Sequence, residues 1–144
     1  MYTGLQHLHS GVAYLAILVL ILVIFWMLIG SLSGREFTEK DRKFGMIGFI
    51  ISHIQLLFGL ILYFVSPLGF TLLTSGTAMG DPVSRLTALE HPLINIIAIA
   101  LISVGYIRSK KMTISRARFR IIYMMYAIGL VLILSRIPWA SWLG

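Results

Sequence analysis

Cysteine is absent from this 144-residue chain, and acidic side chains are nearly so. Without thiols there are no disulfides, zinc fingers, iron–sulfur clusters or thiol nucleophiles. The acids are Glu36, Glu39, Asp41, Asp81 and Glu90, too few for chemistry that needs several carboxylates. Charged residues make up 12% of the chain, against roughly 25% in an ordinary soluble domain. A soluble surface needs charge to stay solvated, so a soluble domain is excluded. With 58% hydrophobic residues, intrinsic disorder is excluded as well. There is no internal repeat, no low-complexity tract, no Ser–His–Asp set and no glycine-rich phosphate loop.

What is present in quantity is long apolar sequence. A membrane span needs about 20 mostly apolar residues. Four stretches qualify, at about 8–30, 41–66, 83–108 and 118–137. Backbone polar groups in lipid must be paired within the segment, so these spans are helices. The expected fold is all-α: an integral membrane four-helix bundle forming one domain. Thr38-Glu39-Lys40-Asp41 reads as the start of the second helix, with Thr38 as cap and acids in the first turn. Asp81-Pro82 reads as a cap and first turn for the third, which makes Pro92 an internal kink; a start at His91-Pro92 is the alternative. The first span lacks a basic leader and a small-residue cleavage site, so it reads as a retained helix.

Basic residues set the orientation. All except Arg85 and Arg136 fall in, or at the span ends flanking, the connections between spans one and two and between spans three and four. The positive-inside rule makes that side cytoplasmic and predicts both termini outside, N-out and C-out. The net charge of +7 is thereby explained by topology and lipid head groups, with no nucleic-acid partner required.

The remaining ionisable residues form a short list. Arg85 and Arg136 lie at the outer ends of spans three and four, and His7, His9 and His91 lie in the outer half. His53 lies inside the membrane, where an ionisable group is a functional candidate by default. Small and polar residues recur at helical spacing on span two (Gly48, Ser52, Gln55, Gly59, Tyr63) and span three (Ala88, His91, Asn95, Ala98), which reads as close helix packing. Neutral imidazole is a ligand of haem iron, and a bis-histidine b-type haem needs two histidines on different helices. His53 and His91 meet that condition, but at 1.5 Å per residue they differ in height by about 10 Å. His9 and His91 are closer in height. His7 and His9 are two residues apart, so at most one faces the bundle. Arg85 and Arg136 lie where haem propionates would emerge. A copper site built from Met1, Met79, His7, His9 and His91 is a weaker alternative, since thioether and imidazole suit that metal. Trp26, Trp139 and Trp142 read as interfacial aromatic anchors.

Four blocks together cover nearly the whole chain: MYTGLQHLHSG, FTEKDRKFGMIGFIISHIQLLFGLILYFVSP, RLTALEHPLINIIAIALISVGYIRSK and ILSRIPW. They resemble a family of small bacterial four-helix membrane proteins labelled cytochrome b-like, and the layout is more loosely similar to SirB- and CopD-like membrane families. The resemblance implies a bacterial inner-membrane protein with haem b and one-electron transfer. It would assign ligation to His9, His53 and His91 and propionate contacts to Arg85 and Arg136. The fourth span has no histidine, which argues against a second bis-histidine haem. The expected function is electron transfer, from a membrane quinol to a periplasmic acceptor. The rival expectation is a non-catalytic accessory subunit of a larger membrane complex or a homo-oligomer.

Overall fold

The computed structural model describes residues 1–142 and is helical throughout. α1 runs Tyr2–Ser33 and α2 Glu39–Val65. A short α3, Phe70–Thr74, and a 3-10 turn, Ala78–Gly80, follow. α4 runs Pro82–Lys111, α5 Ser115–Ser135, and a last short α6 covers Trp139–Trp142. α1, α2, α4 and α5 are each long and apolar enough to cross a membrane.

The helix ends follow from local chemistry. α1 stops at Gly34, whose φ of 69° is left-handed, a conformation glycine adopts without steric cost. α2 starts in a capping box: Asp41 accepts from the Thr38 backbone N–H, and the Thr38 side chain reciprocates. It stops at Ser66, which is extended because Pro67 follows. At the head of α4, the Asp81 carboxylate accepts from the Ser84 hydroxyl and backbone N–H, and both bonds hold its pKa below the usual carboxylate range.

α1 packs on α2 and α5, and α4 packs on the same two helices, so α1 and α4 face each other across the group. The shared core is Leu20, Val23 and Met27 of α1, Ile102 and Tyr106 of α4, and Phe119, Ile122, Tyr126 and Leu130 of α5. α2 contributes small residues to it. A Cβ at Gly48 would stand 2.8 Å from the Tyr126 ring, and the Tyr126 hydroxyl donates to the Gly45 carbonyl at 2.6 Å. Outward faces carry large apolar side chains, such as Leu18, Leu22, Phe25 and Ile29 of α1, as expected where the surrounding medium is lipid.

Three details go beyond what was expected. α1 begins at Tyr2, which puts His7 and His9 on the same continuous helix as the span. Trp26 is also a hydrogen-bond donor: its Nε1–H meets Asp41 Oδ1 at 2.7 Å. Where a kink was expected at Pro92 the helix runs on, and a π turn lies just before it, over Leu86–Glu90.

Candidate functional site

A cavity of about 230 Å³ lies at the end of the molecule that holds both termini. It is lined mainly by apolar residues of the four long helices, with His9, Gln55, His91 and Asn95 among the few polar ones. α6 covers one edge, where Trp142 stacks on Tyr14 of α1 with ring centroids 4.3 Å apart.

His9 enters from α1 and His91 from α4, the two helices that face each other. Their ring centroids are 6.3 Å apart and their planes nearly perpendicular, at 89°. Each ring is held by its neighbours. The His91 Nδ1 lies 2.8 Å from the carbonyl oxygen of Arg136. A carbonyl can only accept, so Nδ1 carries the proton and Nε2 keeps its lone pair. Asn95 donates to the His91 backbone carbonyl at 2.6 Å, one turn further along α4. Gln55 Nε2 donates to the His9 carbonyl at 3.0 Å and lies 3.2 Å from His9 Nδ1. Gly59 gives the His9 ring its room, since a Cβ there would stand 3.0 Å from His9 Cε1. Gln55 Oε1 is buried with no hydrogen-bond partner, so the site retains an unused acceptor.

His53 is not brought to this pair. Its Nδ1 bonds the Phe49 carbonyl at 2.7 Å, and its Nε2 lies 3.2 Å from Ser103 Oγ of α4. Both nitrogens therefore have protein partners, and its ring also packs on Phe49. His7 is exposed, as are Met1 and Met79. Among the described residues, no group of three or more His, Asp or Glu side chains is placed to hold a metal ion.

Arg85 and Arg136 do meet, through Glu90. Arg85 Nε donates to Glu90 Oε1 at 2.8 Å, and Arg136 Nε lies 3.4 Å from Oε2. Two guanidinium groups share one carboxylate, so this cluster, next to His91 in the chain, keeps a positive surplus.

The spacing of the His9 and His91 rings suits two ligands of one iron, as a b-type haem requires. A metal about 2 Å from one nitrogen of each of two imidazoles puts their centroids about 6 Å apart, close to the spacing seen. The second nitrogen of His91 is hydrogen-bonded to a carbonyl, the usual way of orienting a ligating imidazole.

Sequence reasoning weighed the histidines and arginines but not Gln55 as the residue against His9, nor Tyr63, whose hydroxyl donates to the Ala88 carbonyl at 3.0 Å. Their one signal was membership of the small and polar stripe on span two. No protein-family model matches the chain, and no curated protein or solved structure matches it either.

Proposed function

We propose that this chain is a four-helix bundle of the bacterial inner membrane, with both termini outside, that holds one b-type haem and passes single electrons. The observation that carries the reading is the His9–His91 pair, two imidazoles from facing helices 6.3 Å apart over an apolar cavity. His9 and His91 are the residues that would hold the iron. Bound there, the haem would supply a one-electron couple.

The protein's own groups do the rest. The Arg136 carbonyl fixes the His91 tautomer and points its free nitrogen away from the carbonyl. Gln55 and Gly59 bracket His9. Apolar lining keeps water away, and low polarity around a redox centre is one of the protein's means of setting its potential. The cationic cluster of Arg85, Glu90 and Arg136, next to His91, would offer guanidinium groups to the haem carboxylates. In this reading a membrane quinol donates electrons and a carrier on the outer side accepts them.

A reduced-minus-oxidised spectrum of protein purified after expression with haem supply tests the proposal. The expected result is the α band of a low-spin b-type haem at one haem per chain. Colourless protein overturns the reading, and colourless protein that co-purifies with larger membrane subunits favours an accessory role instead.

A further inference from the structure

The segment just before His91 is wound differently from the rest of its helix. From Leu86 to Glu90 the chain makes a π turn, closed by the His91 N–H on the Leu86 carbonyl. A π turn carries one residue more per turn than an α turn, and such turns recur at functional sites. Its consequence is visible in Arg85 and Glu90. Residues five apart lie on different faces of an α-helix. Here the two side chains pair at 2.8 Å, because the wider turn brings them to one face. The same turn presents Glu90 to the Arg136 side chain and the adjacent His91 to the Arg136 carbonyl. One device therefore aims both residues at the end of α5.

Something must hold this turn, since π geometry is rare in isolation. Pro92 has no N–H, so the Ala88 carbonyl lacks the donor that the next α turn would supply. Ala88 is fully buried, and a buried carbonyl left without a donor is costly. The Tyr63 hydroxyl of α2 supplies the missing bond at 3.0 Å.

We infer that Tyr63 is a positioning residue for the His91 imidazole: its hydroxyl, bonded to the Ala88 carbonyl, holds the π turn that sets the direction of His91. The inference rests on the haem reading for its chemistry, though not for its geometry. Tyr63 touches neither imidazole through a hydrogen bond. It acts through the backbone, in the manner of an outer-shell partner whose loss typically weakens metal affinity 10- to 100-fold.

The test uses the full chain in detergent or nanodiscs, with Tyr63→Phe against wild type and Tyr123→Phe, a tyrosine that does not line the cavity. Backbone amide exchange over residues 86–91 is measured on haem-free protein. Haemin is then titrated, and the ferric EPR spectrum, which reports the mutual orientation of two axial imidazoles, is recorded. The expected results for Tyr63→Phe are faster exchange confined to the turn, roughly tenfold weaker haemin binding, and a shifted low-spin EPR signal. Tyr123→Phe should match wild type in all three. Unchanged exchange over 86–91 overturns the inference, as does faster exchange with an unchanged EPR signal and affinity. Wild-type protein that takes up no haemin overturns the haem reading instead, and the exchange result then still decides whether Tyr63 holds the turn.

Discussion

Asp41 accepts both guanidinium hydrogen bonds that Arg35 can aim at one carboxylate, Nη2 on Oδ1 at 2.7 Å and Nη1 on Oδ2 at 2.8 Å. The carboxylate is fully buried, while Arg35 stays partly exposed. Trp26 and the Thr38 backbone N–H also donate to it, so α1, the first loop and α2 are tied at a single side chain. Arg35 lies in turn over the Phe119 ring of α5, 4.7 Å from its centroid. This is the main polar fastening at the end of the molecule opposite the cavity.

Asp41→Ala should therefore destabilise the fold substantially. It removes a bidentate charge-assisted pair, a helix cap and the partner of the Trp26 indole. We expect a loss of about 2–4 kcal/mol, read as a lowered midpoint in denaturant titration in detergent. Haem content at low temperature should be unchanged, because the cavity lies at the other end. A loss under 1 kcal/mol would mean that solvent replaces these bonds freely.

The histidines separate by role. His91→Ala and His9→Ala should each abolish the haem spectrum while leaving helicity intact by circular dichroism. His53→Ala should keep the spectrum, because both of its ring nitrogens are bonded within the helix pair α2 and α4. It should instead cost roughly 1–2 kcal/mol through the lost bond to Ser103 and the lost packing on Phe49. Haem retained in His91→Ala would exclude the ligand pair proposed.

Two glycines of α2 give a sharper contrast. At Gly48 a Cβ meets the Tyr126 ring at 2.8 Å, deep in the core. At Gly59 it meets the imidazole of His9 at 3.0 Å. Gly48→Ala should lower stability by about 1–3 kcal/mol through overpacking, whatever the cofactor. Gly59→Ala should leave denaturant stability nearly unchanged and reduce haemin affinity, since the His9 ring must turn aside. Equal effects of the two substitutions on both measurements would dissolve the distinction between core and site.

How much of this was legible in the residues depends on how local the cause is. The four long helices follow from apolar run length, and α2 begins at Thr38 as its capping pattern predicts. The start of α4 at Asp81-Pro82 was equally readable. Pro92 signalled an irregular helix, but not the π turn before it, because the bond that satisfies Ala88 comes from Tyr63 on another helix. His9 and His91 were matched by height alone. The diversion of His53 depends on Ser103, fifty positions away, which spacing within one span does not reveal. Asp41 read as an ordinary first-turn acid; its burial is decided by Arg35 and Trp26 closing over it.

Orientation is open to direct measurement because the chain has no cysteine to remove. Ser75→Cys and Thr113→Cys both fall at exposed positions, on the loop after α3 and on the loop between α4 and α5. In intact cells a membrane-impermeant maleimide should label the first and spare the second until the membrane is broken. The reverse pattern would place both termini inside and move the cavity to the cytoplasmic face.

The last expectation concerns access to the cavity. Trp142 of α6 stacks on Tyr14 of α1, and Trp139 packs against Trp142 with centroids 5.5 Å apart. This aromatic clasp joins the end of α5 to α1 across one edge of the cavity. Stacked aromatic pairs contribute about 0.5–1.5 kcal/mol beyond the area they bury, enough to slow opening about tenfold without dominating the fold. Trp142→Ala should therefore raise the rate at which haem-free protein takes up haemin, measured by stopped-flow absorbance. It should leave the final spectrum unchanged, because neither His9 nor His91 bonds to Trp142. A slower uptake would mean that the indole guides the porphyrin in, and that α6 is part of the binding surface and not its closure.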